Sequence, residues 1–413
     1  MIRIISHLDA RSVITRRRTR LGQAEKIVAP ILEAVRSEGD SGLIRYAQRF
    51  DDLGTKPLCV SEAELASAAA QMASPILDAV AVARHNIHEF AEAQLPRDYL
   101  REFSGGRMLG QIVRPLDAVG CYIPSGRYPL PSTLLMTAVP AQAAGVAKIC
   151  VASPKPSVEI LGCAHLLGLT NVFRIGGAQA IAAMAFGTAT VPKVDRIVGP
   201  GNAYVAAAKK LLAGEVGIDF IAGPTEILIL APDGNPRTIA ADMLAQAEHD
   251  TDAAAILITL SQRLAEEVAR QIDLQLATLP TAETARAAIE KNSAIIVAPD
   301  IETAVELSNE FAPEHLSLLD PSLLPLIRHA GTVFLGESSP ESAGDYAAGP
   351  SHVLPTSGAA RLRGGLSAAD FVKVIAVQQL SSAALRELAP SITALARAEG
   401  LEAHARSVEI RFA

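Results

Sequence analysis

The chain has 413 residues, 49% of them hydrophobic, with no Trp, four Cys and a formal net charge of -7. That length exceeds one simple core and predicts two or three domains, and the negative charge argues against a general binder of phosphate backbones. No apolar run approaches the ~18 residues a membrane span needs, and the N-terminus lacks a signal-type apolar segment, so the expectation is a soluble, cytoplasmic protein with no nucleic-acid or membrane partner.

Arg16, Arg17, Arg18 and Arg20 form a basic cluster without interleaved aromatics, which reads as a solvated helix or interface face. From about Gly22 to Gln94, apolar positions recur three and four apart, as in "AEKIVAPILEAVRSEG", and predict helices. From Gly110 the pattern changes. "GQIVRPLDAVGCYIP" is extended, and then short β-branched runs ("KICVAS", "NVFRIG", "DRIVG") alternate with helices such as "STLLMTAVPAQAAG" and "AQAIAAMAFG". A second alternation follows, with "EILILAP", "DAAAILITLS", "SAIIVAPD" and "GTVFLGE" as strands and "RLAEEVARQIDLQLATL" and "IETAVELSNEF" as helices. Such alternation predicts parallel sheets covered on both faces, here two of them with a cleft between. From Leu366 the sequence reads as helical, and it ends in a short strand, "SVEIRF".

Two glycine-rich turns follow consecutive strands of the first alternation, in "RIGGAQ" and "RIVGPGNAY". Neither completes the G-x-G-x-x-G/A fingerprint, since Tyr204 occupies the sixth position of the nearer match. They either hold a nucleotide at the carboxyl edge of the sheet or only make tight turns. The four Cys show no CxxC pair, so no zinc ribbon or disulfide framework is indicated, and Cys121 reads as a small buried residue.

Titratable residues gather in the second half. Gln246 and His249 stand at i and i+3 on a predicted helix, hence on one face. Glu341, Asp345 and His352 fall in "PESAGDYAAGPSHVLPTSG", read as a Gly/Ser/Pro-rich loop, and Glu399 and His404 in "AEGLEAHA". Nitrogen and oxygen donors from Gln246, His249, Asp345 and His404 would suit a borderline cation such as Zn²⁺, although a solvated helix face has the same spacing. His7, His85, His88, His165 and His329 sit in undistinguished surroundings. In "NEFAPEHLSLLD", Glu314 and His315 are adjacent, one residue after Pro313. Neighbours on a regular element diverge, so the pair is expected at the mouth of the strand that "HLSLLD" predicts.

Eight collinear stretches together resemble the histidinol dehydrogenase family: "CYIPSGRYPLPSTLLMTAVPAQAAGV", "RIGGAQAIAAMAFGT", "RIVGPGNAYV", "AGPTEILILA", "AQAEHD", "FAPEHL", "ESAGDYAAGPSHVLPT" and "EGLEAHA". The resemblance runs from about residue 20 to the end. It implies an α/β fold of two incomplete Rossmann-like domains with small N- and C-terminal helical or tail domains, assembled as an intertwined homodimer. Residues 20–121 with 227–365 would form the first α/β domain, carrying the metal and the Glu-His loop. Residues 122–226 would form the NAD-binding domain, and 1–19 with 366–413 the terminal helices and tail that complete the partner's site.

The implied chemistry is a zinc-dependent, four-electron oxidation of L-histidinol through bound L-histidinal to L-histidine with two NAD⁺. By the resemblance, Gln246, His249, Asp345 and His404 bind one Zn²⁺ per subunit, His404 coming from the other subunit. Tyr122, Gln179 and Asn202 contact NAD. Thr225, Gln246, His249, His315, Asp345, Glu399 and His404 touch the substrate, Glu399 pairing with its ammonium. Thr225 stands where Ser is common, which keeps the hydroxyl. His315 is the expected base in both hydride steps and Glu314 the carboxylate that activates water for hydration of the aldehyde. The alternative is a paralogue on the same scaffold that oxidises another alcohol, such as a sulfonated propanediol; Glu399 and His352 favour histidinol.

Overall fold

The computed structural model describes residues 1–14, 21–125, 128–221 and 223–412, so the arginine cluster at 16–20 lies outside the described residues. Among the described residues there are fourteen strands: β1 (Arg3–Ser6), β2 (Tyr99–Phe103), β3 (Arg107–Pro115), β4 (Ala118–Tyr122), β5 (Lys148–Ala152), β6 (Asn171–Phe173), β7 (Arg196–Val198), β8 (Gly217–Ile218), β9 (Glu226–Leu230), β10 (Ala254–Thr259), β11 (Ala294–Val297), β12 (His315–Leu318), β13 (Thr332–Leu335) and β14 (Val372–Leu380). They form a six-stranded sheet in the order β1-β11-β10-β9-β12-β13, a five-stranded sheet in the order β6-β5-β4-β7-β8, and a three-stranded sheet, β14-β3-β2. The first two are parallel throughout and the third antiparallel. The expected α/β class with two parallel sheets is present.

The chain divides into two compact units. One holds Met1–Gln94 and Leu116–Phe371, with both parallel sheets; the other holds Leu95–Pro115 and the chain from Val372 onward. In the six-stranded sheet, alternate residues feed opposite cores. Ile227, Ile229, Leu257 and Ile295 enter one apolar cluster, and Leu228, Leu230, Ile256 and Ile296 enter the other. Burial on both faces explains why these strands read as unbroken apolar runs. The five-stranded sheet packs against helix Gly177–Phe186, which is buried almost all round, and Gly22–Glu38, whose Val28 and Val35 are fully buried, packs in turn on that helix. Among the described residues no single helix is long and apolar enough to cross a membrane.

The helices expected between Gly22 and Gln94 form, as does Ile301–Phe311 on its expected boundaries. Its end has a clear cause. Pro313 disfavours helix for the residue before it, and Ala312 closes the helix in the left-handed region at φ 50°.

Four expectations are corrected. The tail from Leu366 is not uniformly helical: Val372, Val374, Ile375 and Val377 are β-branched, and β14 pairs with β3 over its whole length. "SVEIRF" is not a strand, because Glu402–Glu409 is a helix braced by Arg397 on Glu402 and Glu409 and by Arg406 on Glu402. Residues 1–19 are not all terminal helix, since Arg3–Ser6 joins the six-stranded sheet through β11. Glu341–Tyr346, read as loop, is a short helix.

Candidate active site

The acid-imidazole pair lies at the amino ends of two neighbouring strands. His315 is the first residue of β12, opposite Ile227 of β9, and both Glu314 and His315 are buried. Gly331 allows the backbone to close here: a Cβ on it would lie 2.5 Å from the Glu314 carbonyl oxygen. Glu314 Oε2 accepts from Thr225 Oγ1 (2.7 Å) and from the Glu226 amide (2.8 Å), while its Oε1 takes no protein hydrogen bond among the described residues. Burial pushes the Glu314 carboxyl up to about 7, against the pull of His315 and of Thr225.

His315 Nδ1 lies 3.2 Å from the Glu226 carbonyl oxygen and 3.1 Å from Glu341 Oε1. A carbonyl only accepts, so Nδ1 carries the proton and Nε2 holds the lone pair of the neutral ring. Nε2 is buried without a hydrogen-bond partner and faces Asp345 Oδ1 at 3.6 Å. Burial opposes charge on the imidazole, but Glu341, Glu314 and Asp345 outweigh it and raise His315 to about 10, so the ring takes its neutral, proton-accepting form where positive charge balances those carboxylates. Phe334 stacks on the ring at 6.0 Å between centroids.

The short helix Glu341–Tyr346 delivers Glu341 and Asp345 four residues apart on one face. Asp345 Oδ2 is 3.9 Å from His249 Nε2. Its carbonyl accepts from His352 Nδ1 at 2.8 Å, while His352 Nε2 meets Thr133 Oγ1 at 3.2 Å. Burial lowers the pKa of His352 and keeps it neutral. Gln246 sits in the last turn of helix Pro236–Ala247, and His249 lies just past its end rather than on it. The Gln246 amide donates to Thr225 Oγ1 in one orientation; turned over, it donates to Glu341. Its orientation follows the Glu341 proton, since a charged carboxylate takes the N–H and a protonated one can donate to the amide oxygen.

Thr225, Gln246, His249, Glu314, His315 and Asp345 are therefore joined by direct contacts. Glu399 and His404 lie in the second compact unit, exposed, at the end of helix Ser382–Ala398 and on Glu402–Glu409. Glu341 is the residue that sequence reasoning left without a role. The spacing in "ESAGDY" was its signal, hidden once the stretch was read as loop.

Three carboxyl groups crowd one imidazole, more acid than base, and burial with their mutual repulsion holds Glu341 raised. His315, Glu341 and Asp345 place ligand atoms within 4.8 Å of one another. A divalent cation suits that imbalance, and nitrogen and oxygen donors without thiolate suit zinc.

The three residues expected at the cofactor gather at the carboxyl edge of the five-stranded sheet. Tyr122 ends β4, and burial pushes its phenol up to about 12, so it stays protonated. Its oxygen accepts from the Gly177 amide at 3.1 Å. Gln179 lies in the first turn of helix Gly177–Phe186, and exposed Asn202 caps Ala203–Leu212 through Oδ1, which leaves its amide N–H₂ outward. Gly199 has φ 113°, and a Cβ there would meet the Tyr122 carbonyl oxygen at 2.2 Å. A buried ion pair pins this turn: Asp219 Oδ2 accepts from the Gly199 amide and Lys209 Nζ donates to Asp219 Oδ1, both at 2.7 Å. Bare backbone at two turns, with a helix start lacking a side-chain cap, fits a dinucleotide. Cys121 is a buried thiol pushed up to about 12 by burial, as its inert reading requires.

A buried acid-imidazole cluster beside a glycine-edged parallel sheet defines an α/β enzyme equipped for proton transfer. The chain matches the histidinol dehydrogenase family over residues 14–412. It is 50% identical over 394 residues to histidinol dehydrogenase of Thermus thermophilus, covering 94% of each chain. Against that of Halalkalibacterium halodurans the identity is 48% over 396 residues, covering 94% of this chain and 93% of the relative. The crystal structure of histidinol dehydrogenase from Elizabethkingia anophelis is similar at a TM-score of 0.95 and 36% identity, covering 100% of this chain and 98% of that one. An acetylating aldehyde dehydrogenase from Geobacillus thermoglucosidasius, at a TM-score of 0.52 and 14% identity over 88% of this chain and 98% of that one, shares the fold alone. The chain belongs to the histidinol dehydrogenase family. It is an oxidoreductase of histidine biosynthesis.

Proposed function

We propose that the chain oxidises L-histidinol through bound L-histidinal to L-histidine, consuming two NAD⁺ and one water and releasing two NADH and three protons. The observation that carries this reading is His315 Nε2, a buried and unpartnered nitrogen at the head of β12. Nε2 takes the O–H proton as hydride leaves the alcohol carbon, and acts again when hydride leaves the hydrated aldehyde. Glu341 and the Glu226 carbonyl hold Nδ1 and so keep Nε2 toward the substrate. Glu314, raised by burial and with Oε1 unclaimed, takes a proton from the water that adds to the aldehyde. Thr225 contacts the substrate beside it.

Gln246, His249 and Asp345 would hold a zinc ion together with His404 from the partner subunit. When bound, zinc supplies an anchor for the substrate's nitrogens and positive charge against the three carboxylates. Glu399 from the partner would meet the substrate ammonium. NAD⁺ would lie on the 122–226 domain against Tyr122, Gln179 and Asn202, and supplies the hydride acceptor. The terminal segments, 1–19 and 366–413, would complete the site in an intertwined homodimer, with 20–121 and 227–365 as the metal-bearing domain. A sulfonated propanediol remains the alternative substrate, and Glu399 favours histidinol.

The test counts NADH per histidinol consumed: two are expected, and one would overturn the four-electron reading. His315→Ala should slow oxidation of both histidinol and histidinal by about 10²–10⁴-fold. Glu314→Gln should give a first NADH per site and stall at the second. Equal loss of the first hydride step in both variants would show that Glu314 only orients the imidazole.

A further inference from the structure

Asp51 lies immediately after helix Asp40–Phe50, remote in sequence from every site residue considered so far, and is 6% exposed. Its carboxylate reaches the turn before helix Gly177–Phe186. Oδ2 accepts from the Gly176 amide at 3.0 Å and from Gln179 Nε2 at 3.0 Å. A carboxylate accepts only, so it fixes which end of the Gln179 amide turns inward. Nε2 points at Asp51, and Oε1 points the other way, carrying no protein hydrogen bond among the described residues. Oε1 lies beside Gly177, where a Cβ would sit 3.0 Å from it; the residue has φ 56°, which favours glycine. Gly176 is equally confined, since a Cβ there would meet Pro154 at 2.5 Å and Asp51 Oδ1 at 2.9 Å.

We propose that Asp51 is a positioning residue for the dinucleotide: it holds the Gln179 amide with nitrogen inward and oxygen outward, so that Gln179 offers an acceptor to an N–H₂ donor of the cofactor. The inference rests on the reading that Gln179 contacts NAD. Two groups on the dinucleotide carry such a donor, the nicotinamide carboxamide and the adenine amine. Asp51→Ala is the sharp substitution, since it removes the one oxygen that accepts from both Gly176 and Gln179 and leaves the glutamine amide free to turn over. Asp51→Asn is the conservative one, because its oxygen can stand where Oδ2 stands and accept both bonds.

Cofactor affinity is read by titration calorimetry with NAD⁺, and KM for NAD⁺ and for histidinol by steady-state kinetics. Unfolding midpoints serve as the folding control. Asp51→Ala should weaken NAD⁺ about 10-fold while leaving KM for histidinol within about 2-fold, the size expected when one orienting hydrogen bond is lost. Asp51→Asn should bind NAD⁺ within about 2-fold of wild type. A folded Asp51→Asn that loses about 10-fold overturns the inference, and this reading stands even if Asp51→Ala does not fold.

An unchanged cofactor affinity in Gln179→Ala would overturn the NAD contact and the inference with it. A weakened Gln179→Ala beside an unaffected, folded Asp51→Ala would overturn the inference alone. Two analogues identify the donor, one with acetyl in place of carboxamide and one with hypoxanthine in place of adenine. The analogue lacking the recognised N–H₂ should bind wild type and Asp51→Ala alike, which a merely structural role for Asp51 would not produce. If both analogues keep the full dependence on Asp51, Gln179 reads no N–H₂ donor.

Discussion

The five-stranded sheet gathers its glycine turns and Tyr122 at the carboxyl ends of β4, β6 and β7, whereas the six-stranded sheet gathers Thr225, Glu314 and His315 at the amino ends of β9 and β12. The carboxyl edge is built largely of backbone. Gly176 and Gly199 come so close to their neighbours that a Cβ would collide, Gly177 holds φ 56°, and the buried charges of Asp51, Lys209 and Asp219 brace the turns from behind. The amino edge is built of side chains, with Glu314, His315, Glu341 and Asp345 in mutual contact and mostly buried. A surface made of N–H groups and bare glycine can receive a ligand without titrating. A surface made of buried acids is committed to charge, and that commitment is where proton transfer becomes possible.

The largest effect expected from breaking this contrast is at the amino edge. Exhaustive chelation, or His249→Asn, should lower turnover at least ~10²-fold, in line with the loss of a metal ligand. The unfolding midpoint should barely change, because the donors belong to helices and strands with their own cores. Bound metal per chain by atomic emission, with turnover measured in parallel, checks this. Full turnover with no bound metal would show that the acid cluster works without a cation.

A matched pair of substitutions compares the two edges directly. Gly199→Ala would place a Cβ 2.2 Å from the Tyr122 carbonyl oxygen, and Gly331→Ala would place one 2.5 Å from that of Glu314. The first should raise KM for NAD⁺ several-fold and leave KM for histidinol near its original value. The second should lower kcat by about 10–10²-fold, as sub-ångström displacement of a reacting group does, with KM for NAD⁺ unchanged. Steady-state kinetics on both variants decides it, and crossed effects would mean that the edges do not act separately.

A smaller effect measures what buried acidity does to stability. Burial pushes Asp242, on the helix that carries Gln246, up to about 6 from 3.8. The folded state therefore binds this proton more tightly than the unfolded state, and stability from this group falls as pH rises between about 4 and 6. Asp242→Asn should raise stability at pH 8 by of order 1–2 kcal/mol and flatten that slope. Denaturant titrations at pH 4 and pH 8 would show it, and equal gains at both would assign the effect to something other than ionisation.

Much of the fold was legible because burial on both faces writes itself as continuous apolar strands, as in "EILIL" and "AAILIT". The β12 boundary was legible through Pro313, whose effect on Ala312 is local. β2 and β14 were not legible: their residues are largely exposed, so pairing with β3 rather than an apolar pattern makes them strands. The acid-imidazole pair could be read from adjacency, but its orientation could not, since Glu341 approaches from a segment rich in Gly and Ser. Asp51 was hidden for a different reason. Its partners, Gly176 and Gln179, stand 125 and 128 residues away, and a lone Asp at a helix end reads as an ordinary cap.

The placing of β1 and β14 has a consequence for the chain as it is made. β1 leaves the ribosome well before its partner strand, Ala294–Val297. At ~5–20 residues per second, Arg3–Ser6 waits on the order of tens of seconds for the strand it joins. β2 and β3 can form a hairpin early, but the outer edge of β3 stays open until Val372–Leu380 emerges. Through that interval the nascent chain carries an unpaired strand edge, the feature that recruits wrong neighbours. Completion of both sheets is therefore a late event, and premature termination before β14 leaves a chain whose parallel sheets can close while β3 remains a sticky end.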